Sequence, residues 1–217
     1  MLETVVGPWE RVMRPRIEDP TEILKEAEVQ NIAIMVVGDP MQATTHVDLI
    51  VRARENGIPV TVVPGISATT LAITSSGLQS YRFGRQVTLP YTYGNYLPTS
   101  PLRYILDNQS RNLHTLVLLD LDPTGLGIEE PIHMTPSIAG QILLQMAERW
   151  NEENEEVNLC DWDVIVLSDL GTTQNRVYST TISELEGRDN GRIHCLILPS
   201  EMDSHEQTVF DGMRYHT

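Results

Sequence analysis

The 217-residue sequence predicts an α/β protein with two lobes. Short apolar runs at residues 32–37 and 59–63 each end in a turn that opens a helical pattern. Strands that alternate with helices across short loops are typical of parallel βαβ units. A stretch rich in proline and tyrosine at 79–101 interrupts this alternation, and the pattern after it is less regular. We therefore predict a parallel α/β lobe at residues 1–89 and a mixed α/β lobe at 90–217.

The elements of the first lobe begin and end at recognisable signals. Residues 19–29 open with DPTE, in which an acidic cap, a proline and a glutamate three positions after the cap predict a helix start. A second helix is predicted over residues 45–56, because Gly57 follows it as a terminating glycine would. A third is predicted from Ser67 to Gly77, and a brief strand at 86–89 ends the lobe.

The second lobe is predicted to contain two helices of good length and several buried strands. Thr135 precedes a strong helix that reaches about Trp150 and carries apolar residues at helical spacing. The other predicted elements are a helix near 100–110, strands at 113–119, 164–167, 177–180 and 193–198, and a short helix at 182–185. The residues after 198 are predicted to form a tail.

Composition excludes several classes of function. The net charge is −15 and Lys25 is the only lysine, so direct binding to a nucleic-acid backbone is not expected. No apolar run approaches the roughly 20 residues of a membrane span. The two cysteines, Cys160 and Cys195, lack the spacing of a zinc site or a disulfide scaffold, which favours a cytoplasmic protein. The acidic residues at 151–156 are predicted to be a solvated loop, and we expect no metal site.

Two turns form the candidate ligand site. The first reads GDPMQATTH at residues 38–46, and the second reads PGISA at 64–68. In open α/β sheets, ligands bind at the carboxyl ends of parallel strands, where both turns are predicted to lie. Asp39 could hold a ribose hydroxyl or an amine, or Asp39 and Thr44 could simply cap the backbone, and the residues alone leave both readings open. Neither a GxGxxG nor a Walker A motif occurs.

Other polar and aromatic groups offer weaker signals. Three tyrosines at 91, 93 and 96 could line a cleft, although packing at a domain junction is favoured. His46 is expected to seat the first turn, whereas His114 and His194 each begin a buried strand and are expected to have structural hydrogen bonds. No Ser-His-Asp order or close carboxylate pair stands out, so we name no catalytic residue.

Residues 38–49, GDPMQATTHVDL, closely resemble the signature of the diphthine synthase family, which are S-adenosylmethionine methyltransferases of the tetrapyrrole-methylase-like class. Further matches follow in order as GLQ at 77–79, YRFG at 81–84, GNYLPTS at 94–100, HTL at 114–116, Leu119-Asp120, Met134-Thr135 and His194. They span residues 32 to 198, which is most of the chain.

The resemblance implies two α/β lobes of the tetrapyrrole-methylase type, with S-adenosylmethionine in the cleft between them. It implies methylation of the aminocarboxypropyl group on a histidine of translation elongation factor 2, by a homodimer, and the motif spacing favours an archaeal member. The sulfonium cofactor is already activated, so placement of the amine supplies much of the rate and no acid–base pair is required. Carried over position by position, the cofactor-binding residues are Asp39, Gln42, Ser67, Ala68, Leu119, Leu170 and His194.

The sequence departs from the family pattern in two places. The family opens with a strand and a GLGL turn that touches the cofactor, and no counterpart precedes the matches here, so we expect a gap in the sheet of the first lobe. Gln42 places a polar amide where the family has a small apolar contact. Two alternatives therefore remain beside the diphthine synthase reading. One is a methyltransferase of a tetrapyrrole, and the other is a non-catalytic remnant that only binds or dimerises.

Overall fold

The computed structural model describes residues 4, 6–92, 94, 96–124 and 130–214, and all statements below concern these ranges. They contain the helices α1 Arg14–Glu18, α2 Thr21–Ala27, α3 His46–Glu55, α4 Ala68–Ser75, α5 Ser100–Ser110, α6 Pro136–Asn151 and α7 Ser204–Gly212. They also contain the strands β1 Val87–Leu89, β2 Thr115–Leu119, β3 Asp163–Ser168, β4 Arg176–Thr181 and β5 His194–Leu198, with 3-10 turns at Ser80–Arg82 and Ile182–Leu185. No helix in these ranges is long and apolar enough to cross a membrane.

Contacts between residues divide the chain into two compact units. The first unit runs through Ser67 and includes Glu130, and the second begins at Ala68 and holds the rest of the described chain. The predicted lobe boundary between residues 89 and 90 is a different division and stays a prediction. Strand β1, predicted in the first lobe, pairs with β2 and so belongs to the sheet of the second unit.

The prediction of parallel strands at residues 32–37 and 59–63 is wrong for this structure. Both segments run without strand hydrogen bonds in the described chain, and no backbone hydrogen bond joins one to the other. A strand forms only where a neighbouring backbone satisfies its N–H and C=O groups, and apolar composition alone does not provide that neighbour. Their side chains remain exposed, with Val37 fully exposed and Val63 75% exposed. Together with α2 and α3 they line a groove of about 380 Å³.

The helices of the first unit agree better with the sequence. Helix α3 ends before Gly57, whose φ of +70° is the left-handed conformation that a terminating glycine adopts readily. Helix α2 begins at Thr21, where the Thr21 hydroxyl donates to the Asp19 carboxylate at 2.6 Å. Both predictions are confirmed to within a few residues.

The second unit is built on a five-stranded mixed sheet of order β1-β2-β5-β3-β4. Strands β1 and β2 are parallel, and the three other pairings are antiparallel. The mixed sheet predicted for the second half is therefore confirmed. Every strand predicted there is present, with bounds shifted by no more than two residues.

Alternation along the strands gives the sheet two buried faces. One face packs on α5 and α6 through residues that include Val117, Val166, Leu196, Leu102 and Leu143. The opposite face packs on α4 and α7 through residues that include Leu116, Ile165, Ile197, Ala72 and Phe210. Since helices cover both faces, the three inner strands β2, β3 and β5 are mainly apolar, whereas the edge strand β4 is mostly polar.

The prediction of a tail after residue 198 is wrong, because residues 204–212 form α7. Its start is a capping box in which the Asp203 carboxylate accepts from the backbone N–H of Glu206 at 2.9 Å, and the Glu206 carboxylate accepts from that of Asp203 at 3.1 Å. Glu206 and Phe210 point into the protein and are almost fully buried. A capping box satisfies two otherwise unpaired N–H groups, which fixes the first turn of the helix.

The buried carboxylate of Glu206 is the centre of a polar network in the second unit. It accepts a hydrogen bond from His114 Nε2 at 3.1 Å, forms an ion pair with Arg82, and accepts from the Gln79 N–H at 2.9 Å. The other ring nitrogen of His114 accepts from the Ser200 N–H at 3.0 Å. Burial opposes ionisation of Glu206, yet hydrogen bonds from the Gln79 and Asp203 N–H groups and from His114 hold its pKa below the ordinary value. The network joins the turn at 79–82, β2 and α7.

Candidate functional site

The first predicted turn is organised by the carboxylate of Asp39. One oxygen accepts from the Met41 N–H at 2.8 Å, which closes a local turn, and the other accepts from the Gly65 N–H at 3.0 Å. Asp39 therefore ties the turn at residues 38–46 to the turn at 64–68. The capping reading and the ligand reading are compatible, since a carboxylate has about four acceptor positions and these bonds use two.

The two turns approach each other so closely that Gly65 is required. A Cβ atom at position 65 would lie 2.0 Å from the Gly38 carbonyl oxygen, which no side chain can do without moving the backbone. Gly38 itself has a φ of +90°. The predicted proximity of these turns is thus present, although the strands predicted to place them are not.

The residues after Asp39 hold a conformation that is unusual for them. Ala43 has a φ of +52°, a left-handed conformation that costs a non-glycine residue free energy and often accompanies functional loops. His46 Nδ1 lies 2.6 Å from the Pro40 carbonyl oxygen, and the Thr44 hydroxyl accepts from the His46 N–H at 3.3 Å. The expectation that His46 seats the turn agrees with this contact.

The remaining predicted residues of the first unit lie next to this turn. The Gln42 N–H donates to the Asp39 carbonyl at 3.3 Å, and its side chain is exposed. Ser67 is 8% exposed at the end of the second turn. Asp39, Gln42 and Ser67 are therefore held within one short stretch of structure in the first unit.

The predicted residues of the second unit converge at one end of its sheet. Leu119 ends β2, His194 begins β5, and the Leu118–Cys195 pairing of these strands places the two ends side by side. Ser168, the last residue of β3, pairs with His194, and Leu170 lies two positions beyond it. Gly171 lies against Leu71 of α4, the helix that Ala68 begins, because a Cβ at position 171 would be 3.2 Å from Leu71 Cδ1.

His194 is held in place by its neighbours rather than exposed for proton transfer. Its Nδ1 is 2.7 Å from the Ser168 hydroxyl, and the residue is 5% exposed. Burial lowers the pKa of His194, despite the charges of Asp169 and Asp189. The ring is therefore neutral at neutral pH and can serve as a hydrogen-bonding wall of the site.

Sequence reasoning missed two features at this end of the sheet. Asp169 has a φ of +51°, and its carboxylate accepts from the backbone N–H groups of Arg192 at 3.1 Å and Ile193 at 3.0 Å, which fixes the chain entering β5. These hydrogen bonds lower the pKa of Asp169. His133 has a buried Nδ1 with no hydrogen-bond partner in the described chain. No local pattern distinguishes either residue, because both depend on contacts distant in sequence.

The three tyrosines do not behave alike. Tyr91 is 8% exposed and its hydroxyl donates to the Ile132 carbonyl at 3.1 Å, as the packing alternative predicts. Tyr96 is largely exposed. Tyr93 lies outside the described residues. In the described ranges no group of three histidine, cysteine, aspartate or glutamate residues is arranged to hold a metal ion.

Comparison with known proteins identifies the family of this chain. The model of the Tetrapyrrole (Corrin/Porphyrin) Methylases matches residues 13–186. The diphthine methyl ester synthase of Schizosaccharomyces pombe is 38% identical over 190 residues, which are 82% of this chain and 65% of that protein. The diphthine synthase of Methanoregula boonei is 34% identical over 202 residues, 92% of this chain and 75% of that protein.

The chain belongs to the diphthine synthases of the tetrapyrrole methylase family. A crystal structure of a diphthine synthase from Entamoeba histolytica agrees, with a TM-score of 0.80, 31% identity, and coverage of 90% of this chain and 76% of that one. The chain spans about two thirds of the length of the yeast relative and three quarters of the archaeal one. Similar diphthine synthases include both archaeal and eukaryotic proteins, and family and relatives together indicate a methyltransferase.

Proposed function

We propose that this protein transfers methyl groups from S-adenosylmethionine to the modified histidine of translation elongation factor 2, the diphthamide precursor. Membership of the diphthine synthases supports the substrate, because relatives of that name match most of the chain. The observation that carries the proposal in this chain is the Asp39 carboxylate, which joins the two turns and retains acceptor positions.

The residues present fit the cofactor chemically. S-adenosylmethionine presents hydroxyl and ammonium donors, which suit the acceptor positions left on Asp39. In the second unit, Leu119 and Leu170 supply apolar contacts, and the unpartnered Nδ1 of His133 offers a polar one. The residues proposed to hold the cofactor are Asp39, Gln42 and Ser67 in the first unit, and Ala68, Leu119, Leu170 and His194 in the second.

The chemistry asks for placement more than for proton transfer. When bound, S-adenosylmethionine would supply an activated methyl carbon, which an uncharged amine would attack in line with the C–S bond, with neutral S-adenosylhomocysteine as the leaving group. The residues of the protein then have to orient the amine and fix the backbone around the site. Asp39 and Gly65 join the turns at 38–46 and 64–68 in the first unit. In the second unit, Ser168 contacts His194 and Asp169 accepts from the Arg192 N–H, which fixes the start of β5. We propose a cytoplasmic protein that acts as a homodimer.

The test combines a binding and a transfer measurement on the whole chain. We expect S-adenosylhomocysteine to bind by calorimetry, and Asp39→Asn to weaken that binding about tenfold or more, since one charge-assisted hydrogen bond contributes about 1.5–3 kcal/mol. Asp48→Asn, on the exposed side of α3, removes the same charge and should leave the affinity unchanged. Transfer is followed by mass spectrometry of elongation factor 2 that carries the aminocarboxypropyl histidine.

Each result separates one candidate function from another. Binding with transfer to the factor supports the proposal, and transfer to a tetrapyrrole instead would replace it by the other activity of the family model. Absence of both binding and transfer would sink the enzymatic proposal. It would favour a non-catalytic remnant that only binds or dimerises. The segments at 32–37 and 59–63, which have no strand partner in the described chain, are where such a remnant would pair with another chain.

A further inference from the structure

A cluster of arginines surrounds Tyr104 on the surface of the second unit. We name Arg85, Arg103 and Arg111, with Tyr104, the arginine patch. All three arginines are exposed and Tyr104 is half-buried. The patch borders a depression of about 280 Å³ whose lining also includes Asp107 and Leu113.

Two of the guanidinium groups lie against the tyrosine ring. The Arg85 Cζ is 3.6 Å from the ring centroid, and the Arg103 Cζ is 4.9 Å from it. Arg103 also donates to the Tyr104 hydroxyl at 3.1 Å, and this bond together with the charge of Arg85 lowers the pKa of Tyr104. A guanidinium that stacks by its face keeps its N–H edge available for a carboxylate, which it binds in bidentate fashion.

Helical spacing brings the third arginine to the same surface. Tyr104, Asp107 and Arg111 are three and four positions apart along and just beyond α5, so their side chains lie on one side of the helix. Arg111 lines the same depression as Arg85. The patch thus joins a residue that precedes β1 to one face of α5.

The position of Arg85 is fixed by a buried clamp. The side-chain amide of Asn108 accepts from the Arg85 N–H at 3.1 Å and donates to its carbonyl at 2.8 Å. The same amide donates to the Thr115 hydroxyl at 2.9 Å, and Asn108 is 5% exposed. Gly84 allows this approach, since a Cβ there would lie 2.2 Å from Asn108 Oδ1. The backbone that carries the stacked guanidinium is therefore preorganised.

The charges of the patch are not neutralised within the described chain. No carboxylate lies within 4.0 Å of the guanidinium nitrogens of its three arginines in those ranges, whereas Arg11, Arg52 and Arg82 each pair with an acid. Asp107 is the one acid that lines the depression. On a chain of net charge −15, three unpaired cations form a local positive field that attracts an acidic group.

We propose that the arginine patch docks an acidic segment of a partner protein, whose carboxylates bind the three guanidinium edges. A peptide is favoured over a nucleic acid because binding to a polyphosphate backbone requires many clustered cations, whereas the patch holds three. The ring of Tyr104 and the side chain of Leu113 add apolar surface that a peptide can cover.

The patch is separate from those proposed methyl-transfer residues that end the strands of the second unit. Arg85 and Leu113 precede the parallel strands β1 and β2, whereas Leu119 ends β2, so the two sites lie at opposite ends of the sheet. Five strand residues place them about 16 Å apart along the strand. Binding at the patch can be measured without methyl transfer.

The test measures binding of a fluorescein-labelled hexaglutamate peptide by fluorescence anisotropy at low salt. We compare the whole chain with the triple variant Arg85→Gln, Arg103→Gln, Arg111→Gln. A matched control carries Arg54→Gln, Arg149→Gln and Arg176→Gln, three exposed arginines outside the patch that lose the same total charge. We expect the patch variant to bind about tenfold or more weakly and the control to bind within about twofold of the parent, with affinity falling as salt rises.

Every other outcome overturns the assignment. An equal loss in both triple variants would show a general charge effect rather than a site. Parent binding no tighter than that of a hexaserine peptide, or binding insensitive to salt, would remove the carboxylate argument. Tripolyphosphate that competes at the patch with higher affinity than the peptide would make it a phosphate site instead. Thermal melting and circular dichroism of both variants establish that they remain folded.

Discussion

The two units of the molecule position their candidate residues by different means. In the second unit, Leu119 and His194 sit at the ends of paired strands with helices packed on both faces of the sheet. In the first unit, Asp39 and Gly65 are joined by one side-chain hydrogen bond, while the extended segments beside them have no strand partner in the described chain.

This difference shows that two turns can be held together without the sheet that usually supports such turns. The Asp39 carboxylate and the close approach of Gly38 and Gly65 hold the two turns together locally. Paired strands, in contrast, place a residue through many cooperative hydrogen bonds and a dry core. We therefore expect the first unit to have the lower local stability and the second unit to open only through global unfolding.

Hydrogen exchange offers the largest expected contrast. Backbone amides in β3 and β5 should exchange only through global unfolding, whereas those at 32–37 and 59–63 should exchange about 10³-fold faster or more, given a typical stability of at least about 5 kcal/mol. The measurement is exchange followed by proteolysis and mass spectrometry on the whole chain. Equal protection of the two groups would break the comparison, because it would mean that the extended segments are paired in solution.

Removal of the Glu206 carboxylate should be the most damaging single change in the second unit. Glu206→Ala leaves the ring of His114, the Arg82 cation and the Gln79 N–H without their buried acceptor. Breaking a buried ion pair in this way costs about 3–5 kcal/mol of unfolding free energy, which urea denaturation followed by circular dichroism would measure.

Two further variants sharpen that experiment. Glu206→Gln keeps one acceptor oxygen in place and should lose less than the alanine variant. Glu201→Ala removes an exposed carboxyl group from the segment before α7 and should change stability by less than about 0.5 kcal/mol. A loss below about 1 kcal/mol in Glu206→Ala would show that the network contributes little.

Acidification should weaken the second unit by a smaller amount. Burial lowers the pKa of His114 and of His194. Below the ordinary histidine value of about 6.5, the unfolded chain therefore binds protons that the folded chain does not, so stability falls as the pH drops through that value towards the folded pKa. Each histidine contributes a slope of at most about 1.4 kcal/mol per pH unit.

Tryptophan fluorescence can assign this effect to one unit. Trp9 lies in the first unit and Trp150 and Trp162 in the second, so the variant Trp9→Phe reports on the second unit alone. In that background, urea midpoints should fall between about pH 7.5 and 6, and His114→Gln should flatten the dependence. An unchanged slope in the His114→Gln variant would count against a role for this histidine.

Local signals in the sequence were sufficient for most elements. Thr135 before α6 and Gly57 after α3 mark helix ends by backbone geometry that any neighbourhood would impose. The signal for α7 was also local, because Asp203 and Glu206 have the spacing of a capping box.

What failed depended on contacts between distant residues. Whether residues 32–37 form a strand depends on a neighbouring backbone, and no property of the run itself decides that. Likewise, the sequence predicted Asp39 as the acid of the turn. It could not predict the hydrogen bond of Asp39 to the Gly65 N–H, because the two residues are 26 positions apart. The His114–Glu206 contact spans 92 positions and has no sequence signature.

The Asn108 clamp also affects whether two copies of the protein can associate through the edges of their sheets. Strand β1 is an outer strand of the sheet, and the Asn108 amide occupies both backbone groups of Arg85 just before it, as a neighbouring strand would. At the opposite margin, the N–H of Ser179 in β4 donates to the Met213 carbonyl at 2.9 Å. Growth of the sheet by edge-to-edge association is hindered at both margins. Any tendency of the protein to aggregate through strands should therefore begin in the first unit, at 32–37 and 59–63.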